Sequence, residues 1–323
     1  MKLVVIIPCF NEEATLPLVL ATLPKTIAGI DTIETVVIDD GCTDRTVEVA
    51  KKHGIKEFVV HTRNQGLSRA FRHGLLRALE LGADIIVLTE GDNQYPQERI
   101  PDLIQPILDG RADLVLGDRQ TQTIPHFSRS KKFFQKFGTW VLNRAADTNV
   151  PDAITGFRAY TREAALELNP IANYSWATET TIQASRKYQA IAIVPITTNA
   201  KLRDSRQFKS QWQHIRKSSL TIVRGLVTYR SYAVFLTVGL FFLLVGLLPF
   251  IHYLYAVFFT PRSAYGSHHL QSLIIGTVLL TASFISFTLG VVADLISVNR
   301  ALLEDILTEA KRNRFDNNRQ GKR

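Results

Sequence analysis

Along the first 200 residues, short β-branched runs alternate with longer stretches whose apolar positions recur every three or four residues. A period near 2 marks a strand, and one near 3.6 marks a helix that buries one face. Leu3–Ile7, Glu34–Ile38, Glu57–His61, Ile85–Thr89, Leu114–Leu116 and Ile191–Ile196 are therefore predicted strands. Glu13–Leu23, Asp44–His53, Leu67–Leu81, Pro101–Leu108, Ser130–Ala146 and Glu179–Lys187 are predicted helices, with Ser128 and Thr178 as caps. Such alternation builds an α/β domain on a mostly parallel sheet.

After Asn199 the pattern changes twice. Lys, Arg, Gln and Ser with spaced Phe208, Trp212, Ile215, Leu220 and Val223 fit amphipathic helices on a membrane surface. Ser231 to Pro261 and Ser263 to Ala293 then carry no Lys, Arg, Asp or Glu. A span needs roughly 20 apolar residues, so 232–259 and 270–298 are predicted transmembrane helices, the second holding a lone Asp294. Leu302, Leu303, Ile306 and Leu307 make one more amphipathic set before a basic tail expected to be disordered. The expected organisation is a globular domain over 1–210, an amphipathic membrane-surface segment over 211–231, a transmembrane hairpin over 232–298 and a basic tail over 299–323.

Composition excludes disorder as the main state, since 46% of the 323 residues are hydrophobic. The net charge of +9 is unevenly placed: residues 1–199 hold 22 basic and 23 acidic residues, whereas 200–230 with 299–323 hold 15 and 5. The excess flanks the apolar spans, and no nucleic-acid partner is expected. Only Arg262 lies between the spans, so the positive-inside rule puts the globular domain and both termini of this integral membrane protein in the cytoplasm. Two cysteines, Cys9 and Cys42, are too few for a disulfide framework and fit a reducing compartment. The apolar run ending at Pro8 is too short for a signal peptide.

The chemistry-bearing residues fall at predicted strand ends, where open α/β sheets bind ligands. The first strand ends in Pro8-Cys9-Phe10-Asn11-Glu12-Glu13, and the second in Asp39-Asp40-Gly41-Cys42-Thr43-Asp44. Adjacent acids can accept from a nucleobase N–H and a ribose; the alternative is a strand-end turn, with Asp44 as helix cap. No dinucleotide-binding or Walker glycine motif follows any strand. Oxygen donors at Glu90, Asp92 and Gln94 after the fourth strand can converge on one hard cation, Mg²⁺ or Mn²⁺, with room for a diphosphate. A solvated acidic turn is the alternative there.

These segments, together with Asn64-Gln65-Gly66 and Thr155-Gly156-Phe157-Arg158, resemble family 2 glycosyltransferases of the GT-A fold. Within that family they are similar to polyprenyl-phosphate glycosyltransferases, the dolichol-phosphate mannose synthase group. The resemblance covers about residues 3–210. It implies a GT-A nucleotide-sugar-binding domain with a mostly parallel sheet, followed here by amphipathic helices and the two-helix hairpin. It also implies a UDP- or GDP-linked sugar donor, a divalent cation and a polyprenyl phosphate acceptor, undecaprenyl or dolichyl. Pro8, Phe10, Asn11, Glu12, Asp39, Asp40, Gly66, Gly91, Asp92 and Lys209 would face the donor, and Glu90, Asp92 and Gln94 the metal. Asp92, Asp152, Glu179 and Arg203 would be catalytic, Arg203 as a diphosphate clamp. Arg119, Arg129 and Lys131 would hold the acceptor phosphate. The chain departs from the family in having Glu90 where Asp is usual, and in Arg203-Asp204-Ser205-Arg206-Gln207-Phe208-Lys209, which keeps only the outer Arg and Lys of Arg-x-x-Gly-x-Ser-Lys.

A lipid phosphate is already an anion at neutral pH, so it needs positioning and cations more than a general base. No His sits in these motifs, His126 being the nearest, on a predicted loop with Phe127. Lys132 belongs to the basic cluster, though surface helix charge is the better explanation for it and for Lys131. Asp152 could orient the sugar or an arginine, with Arg158 as an ion-pair partner. The expected function is inverting transfer of one hexose or N-acetylhexosamine from a nucleotide diphosphate to polyprenyl phosphate at the cytoplasmic leaflet. Alternatives are a processive polysaccharide synthase, whose Gln-x-x-Arg-Trp motif is missing, and a silent sugar-nucleotide sensor or membrane scaffold. The oligomeric state, including a homo-oligomer, stays open.

Overall fold

Seven strands, β1 (Lys2–Cys9), β2 (Thr32–Asp39), β3 (Glu57–Val60), β4 (Ile85–Leu88), β5 (Leu114–Asp118), β6 (Arg158–Thr161) and β7 (Ile191–Pro195), form one sheet. The computed structural model describes residues 1–120, 139–140, 143–144, 148, 150–152, 154–170, 176–199, 231–259 and 268–320. The order is β3-β2-β1-β4-β6-β5-β7. β6 runs antiparallel to both of its neighbours, and every other pairing is parallel. Leu3, Val4, Val5, Ile6 and Ile7 of β1 are all fully buried, as expected of a central strand covered on both faces.

Around the sheet lie α1 (Leu16–Thr22), α2 (Thr46–Lys52), α3 (Leu67–Glu80), α4 (Ile100–Leu108), α5 (Arg162–Glu167) and α6 (Trp176–Arg186). The predicted α/β pattern holds, with two additions: β6 and α5. β6 has only four residues and contains an arginine, so neither length nor alternation marks it. α6 opens at Trp176, ahead of the predicted cap Thr178. Gly74 of α3 lets the helix pack onto the sheet, since a Cβ there would sit 2.9 Å from Ile38 Cδ1. The predicted helix over 130–146 and its cap Ser128 lie largely outside the described residues.

The chain divides into two units, Met1–Ile222 with Glu304–Arg323, and Val223–Leu303. The second contains α7 (Ser231–Phe259) and most of α8 (His268–Gln320), both long and apolar enough to cross a membrane. They approach closely at small residues. A Cβ on Gly239 would meet Phe287 at 2.7 Å, one on Gly276 would meet Phe250 at 2.8 Å, and Ser283 donates to the Gly239 carbonyl at 2.8 Å. Glycine at such crossings lets helices associate by van der Waals contact where no hydrophobic force drives them.

The expected disordered tail is corrected. α8 continues without a break through Gln320, and residues after Glu304 join the first unit. Phe315 is 2% exposed there. The predicted amphipathic residues Phe208, Trp212, Ile215, Leu220 and Val223 lie outside the described residues.

Candidate functional site

β1, β2 and β4 are neighbours, so the turns leaving their C-terminal ends come together at one sheet edge. Gly91 makes the approach close enough: a Cβ there would lie 2.8 Å from Cys9 Sγ and 3.4 Å from the Pro8 carbonyl. The Thr15 hydroxyl is 2.7 Å from Glu12 Oε2 and 2.8 Å from the Gly91 carbonyl, which ties the turn after β1 to that after β4. Asn11 takes the left-handed conformation at φ 58°, and its Oδ1 accepts from Thr43 N at 2.7 Å. Phe10 is partly exposed beside it.

The two acids after β2 differ. Asp40 Oδ1 accepts from Gln65 N at 2.8 Å and lies 2.7 Å from His61 Nδ1, while Oδ2 accepts from Gly66 N at 2.8 Å. Gly66 has φ +90°, a conformation glycine adopts without cost. Asp40 therefore anchors the Asn64-Gln65-Gly66 turn. On its other side the His61 ring places Nε2 2.7 Å from His73 Nδ1. Burial, then the neighbouring His61, lowers the His73 pKa. Asp39 Oδ1 accepts from Cys42 N at 2.7 Å, and the carboxylate also engages the Cys42 thiol. Asp44 is not the helix cap: Arg45 holds that position in α2, and Asp44, one residue before it, accepts from Thr46 N and from Glu13 N. Against the opposing pull of burial, those bonds and the Thr46 hydroxyl hold its carboxyl below the usual range. Burial raises the pKa of both thiols, Cys42 to about 12, so neither is a thiolate at neutral pH.

After β4, Asp92 accepts from the Gln94 amide at 2.6 Å and from Gln94 N at 3.2 Å, both donors within its own turn. Glu90 reaches the other way: a Cβ on Gly156 would stand 2.2 Å from Glu90 Oε1. The extra methylene relative to Asp is thus accommodated by a glycine of the Thr155-Gly156-Phe157-Arg158 segment. Gly156 N donates to the Tyr95 hydroxyl at 2.7 Å, and burial pushes the Tyr95 pKa up to about 12, keeping it neutral. Among the described residues no cluster of three His, Cys, Asp or Glu side chains could hold a metal. The all-oxygen donors Asp92 and Gln94 fit a hard cation that completes its shell with diphosphate oxygens and water. Glu90 is the weaker candidate ligand, given its direction.

Asp152, 3% exposed, pairs with Arg119, at 2.7 Å to Nε and 3.0 Å to Nη2. Burial opposes the Arg119 charge, but Tyr95, Asp152 and Glu90 together raise its pKa. Arg158 is wholly buried and donates to the carbonyls of Thr155 and Ala177 and to the hydroxyls of Thr180 and Thr181. Its guanidinium lies over the Trp176 ring at 5.2 Å. These bonds fix the first turn of α6, where Glu179 is buried. Arg129, Lys131, Lys132, Arg203, Lys209 and His126 with Phe127 lie outside the described residues.

Sequence reasoning passed over Asn199. Its Nδ2 donates to the carbonyls of Asn93 at 3.1 Å and Tyr95 at 3.2 Å, and its N donates to that of Gln94 at 3.0 Å. One residue thereby pins the turn that carries Asp92. Nothing local signals this, because its partners are more than 100 residues away in the chain.

The chain is similar to known proteins in sequence and in fold. Residues 4–168, half of the chain, match Glycosyl transferase family 2. A dolichol-phosphate mannosyltransferase of Pyrococcus furiosus is 30% identical over 65% of this chain and 60% of its own length. An undecaprenyl-phosphate mannosyltransferase of Micrococcus luteus is 29% identical over 61% of this chain and 83% of its own length. In fold, the chain is similar to glucosyl-3-phosphoglycerate synthase of Mycobacterium tuberculosis, solved with Mn²⁺ and UDP. The TM-score is 0.54 at 23% identity, over 71% of this chain and 79% of that one.

Proposed function

Because the chain belongs to glycosyl transferase family 2, we propose that it transfers one sugar from a nucleoside diphosphate to a polyprenyl phosphate. The observation that carries this reading is the shared sheet edge, where Asp39, Asp92 and the Arg119–Asp152 pair lie on turns that side chains hold in place. The nucleoside meets Asp39, whose carboxylate accepts from the base or ribose. Asp40 and Gly66 shape the wall beside it. Pro8, Phe10, Asn11, Glu12 and Gly91 form the floor. Asp92 and Gln94 would hold Mg²⁺ or Mn²⁺, which when bound offsets the negative charge of the departing diphosphate. Arg203 and Lys209 are assigned to the same diphosphate by resemblance.

An oxygen of the lipid phosphate attacks the anomeric carbon from the face opposite the diphosphate. The new C–O bond forms as the bond to the diphosphate breaks, and the nucleoside diphosphate leaves with the electron pair. The configuration inverts. The attacking oxygen carries no proton to remove, which suits a site whose motifs supply no histidine base. Arg119, its fork oriented by Asp152, steadies the phosphate, with Arg129 and Lys131 beside it. Glu179 orients the sugar. The hairpin of α7 and α8 is the membrane anchor, with the family 2 domain and both termini on the cytoplasmic side, where basic residues flank the spans.

The test offers detergent-solubilised full-length protein a panel of UDP- and GDP-sugars with undecaprenyl or dolichyl phosphate, with and without Mn²⁺. A glycolipid of the expected mass is the predicted product. No product with any pair, while nucleotide still binds, rejects the reading.

A further inference from the structure

The C-terminal end of α8 returns to the first unit at a place no motif marks. Lys311 Nζ donates to the carbonyls of Leu168 at 2.7 Å and Leu166 at 3.2 Å, and to Asn169 Oδ1 at 2.5 Å. The two carbonyls lie at the C-terminal end of α5, where a helix leaves its last carbonyls without partners of its own. Three acceptors match the three N–H bonds of an ammonium. Phe315 is buried one turn later. Arg162–Asp316, Arg312–Glu163 and Arg314–Glu80 ion pairs surround it, each at 2.8 to 2.9 Å. The Arg312–Glu163 and Arg314–Glu80 pairs are exposed and contribute little, whereas Arg162 is buried, so Lys311 and Phe315 carry the docking with the Arg162–Asp316 pair beside them.

The seat leads inward. Asn169 N donates to Gln183 Oε1 at 2.9 Å, and Gln183 Nε2 returns a bond to the Asn169 carbonyl at 3.0 Å. Gln183 is on α6, four residues after Glu179, and an i,i+4 pair shares one helix face. From the other side Arg158 holds the carbonyl of Ala177. Glu179 therefore sits on a turn gripped at two points, and one grip ends on a residue that follows the apolar hairpin in the chain.

We propose that residues 304–316 are a docking strap and that Lys311, through Asn169 and Gln183, is a positioning residue for Glu179. Docking is independent of the proposed glycosyl transfer; only its kinetic consequence rests on that reading. The test is hydrogen exchange on full-length protein in detergent, comparing wild type with Lys311→Met, Phe315→Ala and Lys311→Arg. In the wild type, 304–316 should be protected. Lys311→Met and Phe315→Ala should each speed exchange about tenfold in 304–316, 162–170 and 176–186, equivalent to about 1.4 kcal/mol of lost protection. β1 to β4 should stay unchanged, which separates release of the strap from unfolding. Lys311→Arg, which keeps the donors, should restore most of the protection.

In transfer assays Lys311→Met should lower kcat with donor KM unchanged. If exchange behaves as expected but no donor gives product, the strap stands and the proposed function falls. Free exchange of 304–316 in the wild type, or faster exchange there with 176–186 unaffected in both loosening variants, overturns the proposal.

Discussion

The turns after β2 and β4 flank the same central strand, yet they use their carboxylates in opposite ways. Asp40 receives two backbone N–H bonds and a histidine, all from the segments around β3 and α3. Asp92 is held, among the described residues, by Gln94, two residues on. A carboxylate has about four acceptor sites, so one already holding three donors serves the fold, and one partly engaged and half-exposed serves a ligand. The comparison shows that adjacent acids in one motif need not share a role. Asp39, beside the committed Asp40, is bonded within its own turn by Cys42, three residues on.

The largest effect that would break this contrast is at Asp92. Asp92→Asn should cut transfer by about 100- to 1000-fold, the range typical of losing an electrostatic stabiliser, while leaving the unfolding midpoint unchanged. Chelation with EDTA should act similarly and be reversed by Mn²⁺; full activity in both cases would move Asp92 to the structural side.

Asn199→Ala removes two side-chain bonds from the Asp92 turn, about 2 kcal/mol in all, and should weaken Mn²⁺ binding roughly 10- to 30-fold. Titration of bound Mn²⁺ by electron paramagnetic resonance checks this without any turnover. Unaltered binding would show that the turn holds itself.

Asp40→Asn sharpens the other side of the contrast. It should cost about 1–3 kcal/mol of stability in denaturant titration, because a buried carboxylate partner of two amides and a histidine is lost. Asp39→Asn should instead spare stability and weaken nucleotide binding.

Asp44 gives the smallest effect and a pH signature. Its pKa is lowered from 3.8 in the fold, so its contribution is present above that value and fades as pH falls through the folded-state value. Asp44→Asn should therefore lower the denaturation midpoint slightly at pH 7, by an amount that shrinks as pH falls below 3.8. A pH-independent difference would exclude the carboxylate charge as the cause.

Local pattern alone determined a good deal of this protein. Leu3–Ile7 and Ile85–Leu88 are short, β-branched apolar runs, too short for a helix, that become strands buried on both faces. The two apolar helices, the five motifs and their places at strand ends were equally legible, since each depends on neighbours in the chain. Tertiary structure alone decided the rest. β6 enters between β4 and β5 by pairing with both, a choice made by partners far away in sequence. Arg119 finds Asp152 33 residues away, Asn199 finds the Asp92 turn more than 100 away, and Lys311 finds α5 more than 140 away. Periodicity records which face a residue turns to the core. It carries no record of which distant carbonyl or carboxylate will be waiting there, because that depends on the path the whole chain takes back to the sheet.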